Sequence, residues 1–147
     1  MAAFDVVVAP TVTSGAYSAG DIVGALLTFQ TGINKPLIIN EVQVMVKAAV
    51  TSSLNLVLLT ADPTATTKTD NAAYTLNAAD AFKVRKTIPV TTLYDHGTPN
   101  EYTSGDLNIV VRPAEFLGTF YGLLIDGTGW TLTSTSDIQV RVTGISG

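Results

Sequence analysis

Few residues of this chain have the chemistry of a catalyst, and His96 is the only histidine. It lies between Asp95 and Gly97 in the segment YDHGTPN. A general base or a metal ligand needs partner groups, and a single histidine excludes metal sites built on two or three of them. The chain has no cysteine, and no serine in the context of a nucleophile elbow. We therefore expect His96 to be a loop residue and the protein not to be an enzyme.

The carboxylates could instead bind calcium or form a glycosidase pair. Asp62, Asp70 and Asp80 fall in one long loop, but their spacing matches no EF-hand. A glycosidase needs two carboxylates across a cleft, which a sequence can neither establish nor exclude. Four other aspartates border apolar runs, where aspartate commonly forms turns: Asp21, Asp106, Asp126 and Asp137. We expect mainly structural roles for the aspartates, no metal site and no cofactor.

The aromatic residues could form a platform for sugar stacking, or they could anchor the core and subunit contacts. Trp130 and the five tyrosines are dispersed along the chain, which favours the second interpretation. Seven residues are candidates for an interface, three from the first predicted strand and four tyrosines. They are Phe4, Val6, Val8, Tyr17, Tyr74, Tyr94 and Tyr102.

The charge composition bears on the class of partner. The net charge is −4, and among the eight basic residues only Lys83, Arg85 and Lys86 cluster, so direct binding to nucleic acid is disfavoured. No apolar run approaches the length of a membrane span, and we expect no membrane partner. Charged residues make up only 14% of the chain, which suggests that other subunits cover part of its apolar surface. The N-terminal segment lacks the basic residues of a secretory signal, so we expect folding in the cytoplasm.

The elements that would position these groups are β-strands. In residues 41–60, valines at 42, 44 and 46 and leucines at 54, 56 and 58 alternate with other residues, as in two half-buried strands. The small and polar residues 50–53 between them predict a turn, and hence a central hairpin. Further strands are predicted at residues 4–9, 22–29, 84–90, 107–111, 119–126 and 138–145.

Several residues predict local departures from regular strands. Gly24 predicts a bulge or a close backbone approach, and Pro89 predicts an edge or a bulge. Asn77 and Asp80 predict a short helix at residues 78–83. The first strand ends at Pro10, which predicts either a sheet edge or an inter-subunit arm formed by residues 1–10.

These features together predict an all-β fold. We expect one domain spanning residues 1–147, an antiparallel β-sandwich with jelly-roll connections, or else an immunoglobulin-like sandwich.

The chain also resembles small virion structural proteins of tailed bacteriophages. The resemblance lies in AYSAGDIVGALLTF (16–29), NEVQVMVKAAVTSSLNLVLLTADPTATTKTDNAAYTL (40–76) and FYGLLIDGTGWTLTSTSDIQVRV (120–142). It implies an all-β particle component without enzymatic activity, and within that group a capsid decoration (cement) protein.

As a decoration protein the chain would assemble in the host cytoplasm onto the capsid surface. Its partners would be the major capsid protein and, in a homotrimer, itself. Residues 1–10 and 61–74 would be flexible and would order on contact. The alternative is a tail or fibre domain that binds a host-surface glycan.

Overall fold

The computed structural model describes residues 1–113 and 118–147, which form an antiparallel β-sandwich. The first six strands are β1 (Ala3–Val8), β2 (Ala16–Tyr17), β3 (Ile22–Gln30), β4 (Leu37–Val46), β5 (Leu54–Leu59) and β6 (Val84–Val90). The other strands are β7 (Thr92–Asp95), β8 (Asn100–Ser104), β9 (Ile109–Val111), β10 (Thr119–Asp126), β11 (Trp130–Thr131) and β12 (Ile138–Ser146). A 3-10 helix, η1 (Ala78–Lys83), precedes β6. The sequence also predicts a turn at residues 113–118, and residues 114–117 lie outside the described part of the chain.

The strands form two main sheets. The six-stranded sheet has the order β1-β12-β4-β8-β7, with β9 paired to the first part of β4. The four-stranded sheet has the order β3-β10-β5-β6, and β2 and β11 form a small separate pair. All the pairings within them are antiparallel. The predicted all-β antiparallel sandwich is confirmed.

The inner faces of the two sheets share one hydrophobic core. The residues predicted to face inward from β4 and β5 are fully buried: Val42, Val44, Val46, Leu54, Leu56 and Leu58. Residues from β3, β10 and β12 complete the same cluster. The period-two pattern therefore identified the buried faces correctly, because side chains alternate between the two faces of a strand.

The predicted central hairpin is wrong. Strands β4 and β5 belong to different sheets, and residues 47–53 cross between them. The crossing is held by backbone hydrogen bonds from Lys47 to Asp137 and from Gly127 to Ser53. Each strand has one apolar face that is stable only when it is buried. Because the strands lie in opposite sheets, the valine face of β4 and the leucine face of β5 bury each other.

The four-stranded sheet also has an apolar outer face. Its buried residues form a second cluster: Ile22, Val57, Leu59, Tyr121, Leu123 and Ile125. Tyr74, from the long segment between β5 and β6, packs against this cluster. β10, which lies between β3 and β5, is consequently buried at all eight positions.

The predicted local features of three strands are confirmed. Three residues of β3, starting at Gly24, lie opposite one residue of β10, and a Cβ at Gly24 would be 2.6 Å from Cβ of Pro10. β6, which contains Pro89, is an edge strand. β1 is also an edge strand, hydrogen-bonded to β12 of its own chain.

Candidate interaction surface

Three of the seven predicted interface residues lie in the core. Phe4, Tyr17 and Tyr102 are at most 7% exposed and belong to the main hydrophobic cluster. Their aromatic rings are covered by the two sheets of their own chain, so they present no surface to a partner. Tyr74 is half-buried over the outer face of the four-stranded sheet.

The remaining three candidates lie at the two edges of the six-stranded sheet. Val6 and Val8 on β1 are half-buried because they turn toward the core, whereas Val7 between them faces outward. Tyr94 on the opposite edge strand, β7, is 63% exposed. Tyr94 is therefore the one predicted residue that the structure leaves largely open to solvent.

Tyr17 helps to fix the long segment that follows β5. Its hydroxyl donates to Asp70 Oδ1 (2.8 Å), which also accepts from the backbone N–H of Gly24 (2.7 Å). Asp70 Oδ2 accepts from the Thr13 hydroxyl (2.7 Å). Burial, followed by the hydrogen bond to Asp70, raises the pKa of Tyr17 to about 12. Asp70 therefore ties residues 61–74 to β3 at one point, and the flexibility of this segment stays a prediction.

This network predicts a loss of stability at alkaline pH. Folding raises the pKa of Tyr17 from 10.0 to about 12, so its contribution is complete below pH 10 and is lost as the pH rises to about 12. We expect Tyr17→Phe to unfold more easily at neutral pH and to show a flatter pH dependence in this range. Urea unfolding across this range measures both effects.

The matched control for this prediction is Tyr94→Phe, which removes the hydroxyl of an exposed ring and should leave the slope unchanged. Burial also raises the pKa of Tyr74 and of Tyr102, so a residual slope should persist in Tyr17→Phe. A Tyr17→Phe slope identical to that of the wild type would contradict the network.

A buried carboxylate, Asp126, links the two sheets to the segment that crosses between them. Asp126 Oδ1 accepts from the hydroxyl of Ser52 and from the backbone N–H groups of Thr128 (3.2 Å) and Gly129 (3.0 Å). The hydroxyl of Tyr102 donates to the backbone carbonyl of Val50 (3.2 Å) in the same crossing segment. These contacts join residues 50–52 to both sheets, so we assign Asp126 a structural role.

The outer face of the six-stranded sheet is polar and open. The strand register places Tyr94, Glu101, Met45 and Gln139 in one row across β7, β8, β4 and β12. A parallel row contains Thr103, Gln43, Arg141 and Val7. Arg141 pairs with Asp5 of β1 at 3.1 Å.

His96 contacts Glu101 and Tyr94 on this face. Its Nε2 lies 3.0 Å from Glu101 Oε1, and its ring packs against Tyr94 with centroids 4.7 Å apart. Gln43 Nε2 donates to Glu101 Oε2 (2.6 Å). The hydrogen bonds from His96 and then Gln43 lower the pKa of Glu101. These contacts hold Glu101 ionised on the outer face.

An open depression of about 650 Å³ lies on this same outer face. Met45, Pro99 and Ala9 supply its apolar surface, and Ile138, whose side chain is buried in the core, borders it. The polar residues around it are Gln43, Lys47, Glu101, Ser136, Asp137, Gln139 and Arg141. Its lining therefore combines apolar side chains with hydrogen-bonding and charged groups.

Helix η1 forms as predicted and presents Phe82 to solvent. Asn77 caps the helix by accepting from the N–H of Ala79 (2.9 Å). Phe82 is as exposed as in an extended peptide, at 102%, whereas Asp80 is buried at 1%. Phe82 was not among the predicted interface residues, although it is the only phenylalanine in residues 61–82.

Asp80 is buried because it holds η1 to the preceding segment. It accepts from Lys83 Nζ (2.8 Å), the Thr66 hydroxyl (2.7 Å) and the N–H of Ala65 (3.0 Å). The hydrogen bonds from Lys83 and then Thr66 lower the pKa of Asp80. The helix therefore presents Phe82 from a fixed support.

We expect Asp80→Asn to loosen residues 61–83. A lowered carboxyl pKa means that Asp80 stabilises the fold above its ordinary pKa of 3.8 and that this contribution is lost as the pH falls through the lower folded value. The variant should show faster tryptic cleavage at Lys68 and a smaller loss of stability in acid. Asp106→Asn, at an exposed site, is the control and should match the wild type.

Within residues 1–113 and 118–147, no group of three or more His, Asp or Glu side chains is placed to hold a metal ion. Asp62 pairs with Lys68, whereas Asp70 and Asp80 accept from the separate donors described above.

Trp130 is 6% exposed, so it cannot serve as an open stacking platform. No helix in the described part of the chain is long and apolar enough to cross a membrane.

Comparisons with family models, with curated proteins and with solved structures give no match for this chain.

Proposed function

We propose that this protein is a structural component of a bacteriophage particle, a head decoration protein that binds the major capsid protein at the capsid surface. The observation that carries the proposal is the placement of large apolar side chains on the surface of hydrogen-bonded elements. Phe82 on η1 and Tyr94 and Leu93 on β7 are all exposed. Exposed aromatic residues on rigid elements are typical anchors of protein contacts.

The composition supports the same role. With charged residues at only 14%, the chain gains from neighbours that cover its apolar surface. The resemblance to virion structural proteins of tailed bacteriophages points to a capsid as the place where such neighbours occur. A homotrimer would attach at several points at once, so weak individual contacts would add to a high overall affinity.

Strand order supports a jelly roll as the form of the sandwich. With β8 and β9 taken as one interrupted strand, and the short β2, β7 and β11 left out, eight principal strands remain. Numbered along the chain, they have the order 1-8-3-6 in one sheet and 2-7-4-5 in the other. Two Greek keys of this kind make the jelly roll that viral capsid domains use. An immunoglobulin-like sandwich would instead place its first two strands in one sheet.

Co-sedimentation tests the proposal. Purified protein is mixed with expanded phage heads that lack it, and the heads are pelleted. We expect the protein in the pellet at a fixed ratio to the major capsid protein, and Tyr94→Ser together with Phe82→Ser to reduce that ratio. Protein that stays in the supernatant at every concentration would overturn the proposal.

The outer-face depression favours a second candidate function, a tail or fibre domain that binds a host-surface glycan. Gln139 and Gln43 offer amide donors and acceptors there. Tyr94 offers an exposed ring at the end of the row that contains Gln139. A glycan array probes this function directly. Binding that Tyr94→Ala abolishes would support it, and an array without a hit would exclude it.

A further inference from the structure

Residues 67–76 form a flap on the four-stranded sheet. The chain leaves β5, reaches the free edge of β3 and returns to β6 beside β5, so it passes β10 on the way out and again on the way back. Tyr74 packs against the apolar cluster on the outer face of this sheet, which places the flap over that face. None of residues 67–76 is itself buried. The flap therefore covers apolar side chains while its own residues stay at least partly exposed.

The tip of the flap is attached to the edge of β3. The N–H of Asn71 donates to the carbonyl of Ile22 (2.8 Å), whose own N–H donates to the carbonyl of Ala72 (2.8 Å). The N–H of Tyr74 donates to the carbonyl of Gly20 (2.9 Å). The flap thus occupies this edge in the way that an added strand does. It protects backbone groups to which another strand could otherwise pair.

The base of the flap has a separate attachment. The N–H of Asn77 donates to the hydroxyl of Thr66 (3.1 Å), and this hydroxyl donates to Asp80 (2.7 Å). Thr66 and Asp80 are buried, at 4% and 1% exposed. The two ends of the flap are therefore joined to each other and to η1 by contacts that do not involve β3. The tip can leave β3 without breaking them.

The tip is held mainly by polar contacts. Its backbone hydrogen bonds, and those that Asp70 accepts, are replaced by bonds to water when the tip leaves β3, so each adds only modestly to stability. Tyr74 is the only flap residue that packs in the apolar cluster formed by the described residues. Segments with few buried apolar contacts open at a lower free energy than the core.

We propose that the flap opens as one unit, about a hinge at Thr66 and Asn77, while the sandwich remains folded. Opening exposes the edge of β3 and the apolar face under Tyr74. The inference goes beyond the proposed function and does not depend on it, because the motion belongs to the isolated chain.

Hydrogen exchange of the purified full chain tests the proposal. We expect the amides of Asn71 and Tyr74, corrected for their intrinsic rates, to exchange at least about a hundredfold faster than the slowest amides of β10. Opening of a flap exposes less surface than global unfolding. Low concentrations of urea should therefore change the flap rates much less than the β10 rates. Flap amides as strongly protected as those of β10 would overturn the proposal.

A disulfide lock gives a matched control. Asp21 and Ala73 are paired across the edge of β3, and an antiparallel pair of this kind brings two side chains within reach of a disulfide. The natural chain has no cysteine, so Asp21→Cys combined with Ala73→Cys supplies one defined pair. We expect oxidation to slow the exchange of Asn71 and Tyr74 to the β10 level and reduction to restore it. Equal flap exchange in the two redox forms would overturn the proposal, and the wild-type experiment decides it should the variant not fold.

Discussion

Phe120→Ala is expected to lower the free energy of unfolding by about 3–5 kcal/mol. Phe120 lies on the central strand β10, is fully buried, and stacks on Phe29 of β3 with ring centroids 5.0 Å apart. Removal of the ring leaves a cavity at the centre of the sandwich, which the two sheets cannot close without losing other contacts. A domain of this size has a total stability of about 5–15 kcal/mol, so the loss is a large fraction.

Urea unfolding measures this loss, and an exposed phenylalanine of the same chain, Phe82, provides the control. Phe82→Ala is the same chemical change at a fully exposed position and should alter the unfolding free energy by no more than about 0.5 kcal/mol. Both variants are compared with the wild type at a concentration at which all three are monomeric, because association would add to the apparent stability. Equal losses at the two positions would contradict the assignment of Phe120 to the core.

Gly144→Ala is expected to cost about 3 kcal/mol or more. Gly144 lies on β12 at a bulge, where β12 pairs with β1 on one side and with β4 on the other. A Cβ at this position would lie 2.0 Å from the carbonyl oxygen of Ile38 and 2.7 Å from the ring of Phe4. The carbonyl belongs to the backbone of the neighbouring strand, so the clash requires the two strands to separate.

Gly105→Ala is the matched control for this prediction. A Cβ at Gly105 would have its nearest neighbour 3.9 Å away, at the end of the Glu41 side chain. The same addition of one methyl group should therefore be neutral, or stabilise the fold slightly by restricting the unfolded chain. Thermal unfolding measures the difference in stability between the two variants. A Gly144→Ala protein as stable as Gly105→Ala would show that the strands at this bulge are not tightly packed.

The candidate interaction surface could be predicted only in part. Tyr94 was predicted to be an interface residue, and it is exposed in the structure. The helix that carries Phe82 was predicted from its Asn77 cap and Asp80. Phe4, Tyr17 and Tyr102 were chosen for their chemistry, but residue type does not tell whether an aromatic ring anchors the core or a contact. Phe82 was missed because its exposure depends on the burial of Asp80 against Thr66 and Ala65, which are distant from it in sequence. The outer-face depression combines residues from several strands and has no signature in any one of them.

The sequence by itself determined most of the longer strands and which of their faces is buried, whereas β2, β7, β8 and β11 were not predicted. The alternation of Val42, Val44 and Val46, and of Leu54, Leu56 and Leu58, reports this directly, because successive side chains point to opposite faces. Only the tertiary structure decided which strands pair. β4 and β5 are neighbours in the chain and nevertheless belong to opposite sheets, where their apolar faces bury each other. The alternation of apolar and polar residues is a local property of the sequence. Strand pairing, in contrast, minimises the exposed apolar area of the whole chain, and it joins strands as distant in sequence as β1 and β12.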